Sequence, residues 1–242
     1  PFYVAFAINV VALFARLRLV STDEYTHLLE DRELQPVNAL ELLKNQGRNV
    51  IIGALAALAS YALFHLVTVF PLSWISLYSA RNLSEFLYLQ EAFGVLMAGA
   101  IILSGVIADK IGRRNTLGTL AVLIGIFSVF VPTLMKAGEA GENAFLFFGY
   151  VLLGLSYGQA AGAVTANFSA QYRYTGAALT SDLSWLAGAA FAPLVALGLS
   201  AHFGLAYVSL YLLSGCACSS LATAADMGAS SRDFRRSQYG LS

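Results

Sequence analysis

Long apolar runs alternate with short polar joints along the whole chain. A bilayer-spanning helix needs roughly 20 mostly apolar residues. Seven runs qualify, at about 1–20, 49–78, 85–108, 116–135, 144–166, 174–201 and 203–225. The second and sixth are longer than needed, and Pro71 and Pro193 inside them are the expected kink sites, because proline removes a backbone donor. Between the first two spans, Ser21 to Arg48 is polar but holds Leu28, Leu29, Leu40, Leu42 and Leu43. That pattern suits short amphipathic helices at a membrane surface.

Composition agrees with the pattern. The chain is 58% hydrophobic and 12% charged, with a mean hydropathy of +0.69, whereas soluble domains carry about 25% charged residues. The expected class is therefore an all-α integral membrane protein. A net charge of zero offers nothing to a nucleic acid, and none is expected as a partner. Cys216 and Cys218 share one apolar span and read as packing residues, since a bridge between i and i+2 on a helix is geometrically poor. His27, His65 and His202 lie far apart, so neither a metal nor a cofactor is expected. The chain opens on Pro1 and runs directly into apolar sequence without a basic leader, which leads one to expect a piece of a longer protein.

The bases set an orientation. Arg16, Arg18, Arg32, Lys44 and Arg48, then Lys110, Arg113 and Arg114, then Arg173, and finally Arg232, Arg235 and Arg236 fall in alternate joints and the tail. These are 12 of the 14 Lys and Arg; Arg81 and Lys136 fall on the other side. Basic loops stay in the cytoplasm, so the C-terminus is expected there. One span, a long connector and six further spans look like the tail of a six-plus-six architecture.

Three stretches carry a resemblance. Gly105–Thr116 reads GVIADKIGRRNT and resembles the Gly-x-x-x-Asp-Arg/Lys-x-Gly-Arg-Arg joint of the major facilitator superfamily. PFYVAFAINVVALFARLRL at the start resembles the sixth helix of its metabolite:proton symporters. YRYTGAAL, Tyr172–Leu179, resembles that family's Arg-Tyr-Thr-Gly joint before helix eleven, and Pro193 matches a proline of that helix. Two places depart from the family: Ser21-Thr22-Asp23 replaces Glu-Thr-Pro, and Ala166-Asn167-Phe168-Ser169 replaces Glu-x-Phe-Pro.

The resemblance implies an assignment by segment. Residues 1–20 would be the last helix of an N-terminal bundle and 21–48 a cytoplasmic connector. Residues 49–226 would be a C-terminal six-helix bundle and 227–242 a cytoplasmic tail. It also implies a cytoplasmic gate of Gly105, Asp109, Lys110, Gly112, Arg113 and Arg114, with a second gate joint at Arg173, Tyr174, Thr175 and Gly176. Asp109 lies near the C-terminal end of a helix, where the macrodipole disfavours an anion. Arg113 and Arg114 are close enough in sequence to compensate, and in the family the acid also faces a helix N-terminus of the other half. Gly105 and Gly112 suit close approach and a tight turn.

Polar residues inside spans are the remaining candidates, because they are costly in a membrane and usually face a cavity or a partner. Asp182 shares a stripe with Trp185, Ala189 and Pro193 and suits a cavity or proton-linked role, or equally a structural partner. Tyr61, His65 and Thr68 fall on one helical face that could hydrogen-bond an organic substrate or simply pack. Glu91 suits an ion pair with Arg81, or a substrate or proton role. Gly154, Gly158 and Gly162 form a small-residue ridge for close packing, while Tyr150 and Tyr157 line another face that can reach a cavity. Asn82-Leu83-Ser84 fits a glycosylation acceptor, without expected consequence.

The expected function is a proton-coupled symporter of a small organic acid or zwitterionic osmolyte in a bacterial inner membrane. No covalent chemistry is implied. The rivals are an uncoupled facilitator and a seven-helix receptor. A retinal receptor is excluded, since Lys44, Lys110 and Lys136 all lie in joints.

Overall fold

The computed structural model describes residues 2–20, 36–79, 81–165 and 168–239. All regular structure among them is helical: α1 (Phe2–Val20), α2 (Ala39–Thr68), α3 (Phe70–Tyr78), α4 (Leu83–Ile111), α5 (Arg113–Lys136), α6 (Gly138–Thr165), α7 (Arg173–Trp185), α8 (Ala192–Phe203) and α9 (Leu205–Tyr239). A 3-10 turn, Ala170–Tyr172, leads into α7, and a π-helical turn, Leu186–Ala190, joins α7 to α8.

Five runs are long and apolar enough to cross a membrane: Ala39–Tyr78, Leu83–Ile111, Arg113–Lys136, Arg173–Phe203 and Leu205–Ala225. α6 has 28 residues and occupies the expected fifth span, and α1 has 19 and occupies the first. None of the described residues of α1 is buried. The connector between residues 21 and 35 lies outside the described residues. α9 continues past the expected span end at 225 as far as Tyr239, with no proline to stop it.

The ends and breaks have local causes. Asn38 caps α2 by accepting from the Leu40 amide at 2.9 Å, and Asn82 caps α4 by accepting from Ser84 at 2.9 Å. Gly112, at φ +87°, ends α4 and begins α5 in one residue, a conformation that other residues rarely adopt. Both expected kinks appear, and each proline sits in the first turn of a new helix, at Pro71 in α3 and Pro193 in α8. Pro71 cannot donate to the Val67 carbonyl. Buried Gln90 of α4 supplies a donor there: its amide bonds the Thr68 carbonyl at 3.0 Å and lies 3.5 Å from that of Val67.

α2 is the central helix and packs against α5, α6, α7 and α9. Leu63, Leu66 and Val67 bury against Phe70 and Ile75 of α3, Ile124 and Phe127 of α5, Phe145 and Leu146 of α6 and Leu212 of α9. By contrast Val95 and Ile102 of α4 and Val122, Ile126 and Phe130 of α5 are exposed. Faces so apolar belong against hydrocarbon or another helix.

Between helices, small residues and hydroxyls do the fastening. A Cβ on Gly154 would lie 2.6 Å from the Met97 carbonyl oxygen, and one on Gly158 would lie 2.5 Å from Ser104 Oγ. The glycine ridge therefore brings α6 onto α4 at backbone distance. Gln159 donates to Ser104 at 2.9 Å, the Ser60 and Ser156 hydroxyls are 3.0 Å apart, and Ser219 donates to the Leu55 carbonyl at 2.8 Å. Such bonds stabilise membrane bundles where lipid offers no partner.

One end of the bundle is closed by a buried ion pair. Arg81 Nη1 lies 3.2 Å from Glu142 Oε2 and donates to Asn143 at 2.8 Å, with its guanidinium over the Phe86 ring. This corrects the expected Arg81–Glu91 pair. Glu91 points away on the exposed face of α4, whereas Glu142, in the first turns of α6, is 3% exposed.

Two stability outcomes follow. Gly154→Ala loses about 1–3 kcal/mol through overpacking, whereas Gly99→Ala, with open space around its Cβ, melts at or above the parent temperature in detergent. Glu142→Ala strands a buried guanidinium and loses about 3–5 kcal/mol. Glu91→Ala leaves the melting temperature unchanged if Glu142 is the true partner of Arg81.

Candidate functional site

Five side chains from three helices converge beside the last turns of α2. Tyr61 and His65, one turn apart, both face Trp185 of α7, with ring centroids at 5.0 and 5.9 Å. Phe64 meets Trp185 edge-on at 5.4 Å and lies tilted against Tyr157 of α6 at 5.7 Å, and Tyr157 meets Tyr61 edge-on at 6.0 Å. His65 Nδ1 is buried and has no hydrogen-bond partner. An unbonded nitrogen in such a setting is costly, and it gives the cluster one free polar handle among aromatic faces.

The structure thus brings Tyr61, His65 and Tyr157 together, and Phe64 and Trp185 complete the group. Thr68, the third residue of the expected stripe, instead donates to the Phe64 carbonyl at 2.7 Å within its own helix. Tyr150 lies on a different part of α6 and packs 6.2 Å from Phe93. Glu91 is not part of the cluster.

Asp182 is adjacent but outside it. Gly176, Thr180 and Ser184 form the buried face of α7, and Ser184 donates to the Ala54 carbonyl of α2 at 2.8 Å. Asp182 is on the opposite, exposed face. The stripe expected to run from Asp182 through Ala189 does not stay on one surface: Trp185 is half-buried and Ala189 fully buried. The π-helical turn shifts the register between them, and a periodicity of 3.6 cannot anticipate that shift.

The motif of Gly105–Thr116 is a short helix-to-helix joint at the end of the bundle opposite Arg81. Gly112 makes the turn, Asn115 donates to the Ile111 carbonyl at 2.9 Å, and Thr116 donates to the Gly112 carbonyl at 2.9 Å. Asp109 and Lys110 are exposed, and among the described residues no ion pair involves Asp109. The expected compensation by Arg113 is not what forms. Arg113 lies over Gly162 of α6, where a Cβ would come 2.7 Å from Nη1. The third glycine of the ridge therefore seats an arginine of the joint rather than a helix. Nothing lies within 4 Å of a Cβ on Gly105, so the close approach expected there is not made within the described chain.

The second joint is more tightly held. Phe168 is buried with its ring on Gly176, where a Cβ would come within 2.6 Å of it. Thr175 Oγ1 accepts from the Val37 amide at 2.8 Å. Arg173 and Tyr174 are exposed at the same level. Among the described residues no group of His, Cys, Asp or Glu has the arrangement of a metal site.

Comparison with known proteins places this architecture. A Haemophilus influenzae protein named for metabolite transport is 32% identical over 226 residues, covering 88% of this chain and 50% of its own length. The inner membrane metabolite transport protein YhjE of Escherichia coli K12 is 28% identical over 222 residues, with 88% and 50% covered. The shikimate transporter of Escherichia coli K12 is 30% identical over 190 residues, with 74% and 42% covered. The chain spans about half the length of these curated relatives. No family model and no solved structure matches it. With that similarity carried along most of its length on an all-helical membrane architecture, the chain belongs to the major facilitator superfamily and groups with its metabolite transport proteins.

Proposed function

We propose that this chain is the C-terminal part of a secondary transporter that carries a small organic metabolite across a bacterial inner membrane by proton-coupled symport. The observation that carries the reading is the aromatic cluster of Tyr61, Phe64, His65, Tyr157 and Trp185, with the unpartnered His65 Nδ1 beside Phe64 and Trp185. Rigid aromatic faces with one or two polar handles are the usual lining of a small-molecule site. The names of the relatives support metabolite transport. Two helix bundles would rock about this midplane site and expose it to each side in turn.

In this reading α1 ends an N-terminal bundle, residues 21–48 connect the bundles, 49–226 form the C-terminal bundle, and 227–242 are a tail. The Asp109 end faces the cytoplasm, as does the C-terminus, supported by the placement of 12 of the 14 bases. The exposed face of α4 that carries Glu91, Val95, Ile102 and Asp109 would meet the other bundle. Asp109 would then find the helix N-terminus that compensates its charge, and Gly105 its close neighbour. Asp182, exposed one turn from Trp185, is the proton carrier and faces the cavity between bundles. The substrate class is a small carboxylate or zwitterion. Arg173, Tyr174, Thr175 and Gly176 form the second gate joint.

Uptake into proteoliposomes tests this directly. A panel of labelled small carboxylates and zwitterions, with shikimate first, accumulates when an inward proton gradient is imposed and stops accumulating when an uncoupler collapses it. Uptake that only equilibrates across the membrane and is indifferent to the uncoupler assigns an uncoupled carrier instead. Asp182→Asn abolishes uphill accumulation but preserves counterflow exchange, which needs no net proton movement. Equal loss of both activities, together with a fall in protein level, would give Asp182 a structural role. Asp109→Asn raises labelling of cavity cysteines from the cytoplasmic side by about 5- to 100-fold, the range for a charge-assisted contact. Unchanged labelling and transport would remove the gate role.

A further inference from the structure

We infer that residues 37–46, the end of the connector and the first turns of α2, are a strut that fixes the end of α7 to the base of α2. The second joint then moves with the bundle rather than by itself. The inference does not depend on which metabolite is carried or on proton coupling.

α7 needs such a fixture because it is weakly continued in both directions. At one end the π-helical turn Leu186–Ala190 and the break at Phe191 separate it from α8. At the other end the 3-10 turn Ala170–Tyr172 leads in from a loop. Only 13 residues long, α7 must be held from the side. At its upper end Ser184 is bonded to Ala54, and Gly188 sits where a Cβ would lie 3.2 Å from the α2 backbone at Leu58 and Ala62. At the opposite end Thr175, and Tyr172 just before the helix, are bonded to residues 37–45.

Four hydrogen bonds make the fixture. The Val37 amide donates to Thr175 Oγ1 at 2.8 Å. The Tyr172 hydroxyl donates to Glu41 at 2.9 Å and accepts from Asn45 Nδ2 at 2.7 Å, so it bridges two residues one turn apart on α2. Gln46 Nε2 donates to Ser169 Oγ at 2.7 Å. Beneath them Leu42 and Phe168 are buried in one apolar cluster with Val50. Gln46 itself leaves helical geometry, at φ −134° and ψ 26°. Residues 39–45 can therefore depart from the axis of the span and lie on the joint. A hydrogen bond, a buried ring and a backbone kink thus all point the same segment at the same joint.

The test reads the position of α7 without any substrate. Ala178 lies one turn below Asp182 on the same exposed face. In membrane vesicles of the protein with Cys216 and Cys218 replaced by alanine, Ala178→Cys reports the accessibility of α7 to a membrane-impermeant thiol reagent applied from the Asp109 side. Adding Tyr172→Phe and Thr175→Val raises the labelling rate by at least about fivefold, the factor for one net hydrogen bond. Thr175→Ser, which keeps the acceptor, leaves it at the parent rate. The 2.8 Å bond between the Val37 amide and Thr175 Oγ1 makes these two positions the pair to cross-link. Oxidising the Val37→Cys/Thr175→Cys pair returns labelling to the parent rate and leaves uptake intact wherever the reduced protein transports. Labelling unchanged in the loosened variant would overturn the strut. So would oxidation that arrests uptake in protein active when reduced, because the contact would then be a latch that has to open.

Discussion

Hydrocarbon offers no hydrogen-bond partner, so every backbone amide and carbonyl of a membrane span must be satisfied within the protein. That constraint explains why the regular structure here is helical, and it explains the breaks more sharply than the helices. Where Pro71 removes a donor, a buried glutamine from a neighbouring helix takes up the freed carbonyls. At Pro193 the chain widens into a π-helical turn and restarts. Caps by Asn38 and Asn82, the glycine turn at 112 and the back-bonding of Thr116 belong to the same accounting.

Once the backbone is satisfied, shape holds the helices together. Lipid is as apolar as leucine, so burial of leucine against leucine gains little within a bilayer. The contacts that discriminate one arrangement from another are therefore the glycines that admit a carbonyl and the serines that cross between helices. Gly154 meets the Met97 carbonyl, Ser184 the Ala54 carbonyl and Ser219 the Leu55 carbonyl. The same device recurs at the two joints and the helix break: Gly162 seats Arg113, Gly176 seats Phe168, and Gly188 lets the π-helical turn lie on α2. Conversely, the open space around Gly99 and Gly105 marks the face of α4 that this chain leaves uncovered.

Much of this was legible in the pattern of apolar runs, because span length, proline position and the glycine ridge are local properties. The extents of α4, α5 and α6 lie within a few residues of the expected spans, and both proline breaks occur where expected. Tyr61 and His65 could be put on one face by counting. What counting could not supply was the partner across the space. Arg81 chose Glu142, 61 residues away in sequence, over Glu91, which is closer along the chain but on the wrong face. Gln90 carries no motif in a span, and counting places Trp185 only on the stripe of Asp182, not as the ring that Tyr61 and His65 face. The register shift of the π-helical turn moved Ala189 off the stripe of Asp182, and no feature of residues 186–190 announces it beyond a glycine among alanines.

The two ends of the bundle are held by different physics, and the difference bears on which can be adjusted. The Arg81 end rests on a buried ion pair, and removing one partner leaves the other charge stranded, a loss of about 3–5 kcal/mol. Such an end stays together or fails as a whole. The Asp109 end rests on several hydrogen bonds between half-exposed groups, each worth about 1 kcal/mol net, and on Arg113 placed over Gly162. Here stability comes from number rather than strength, and any one contact can be lost to water with small effect. At Phe168-Ser169 both kinds of contact sit side by side: the Phe168 ring lies on Gly176, and the Ser169 hydroxyl accepts from Gln46 at 2.7 Å.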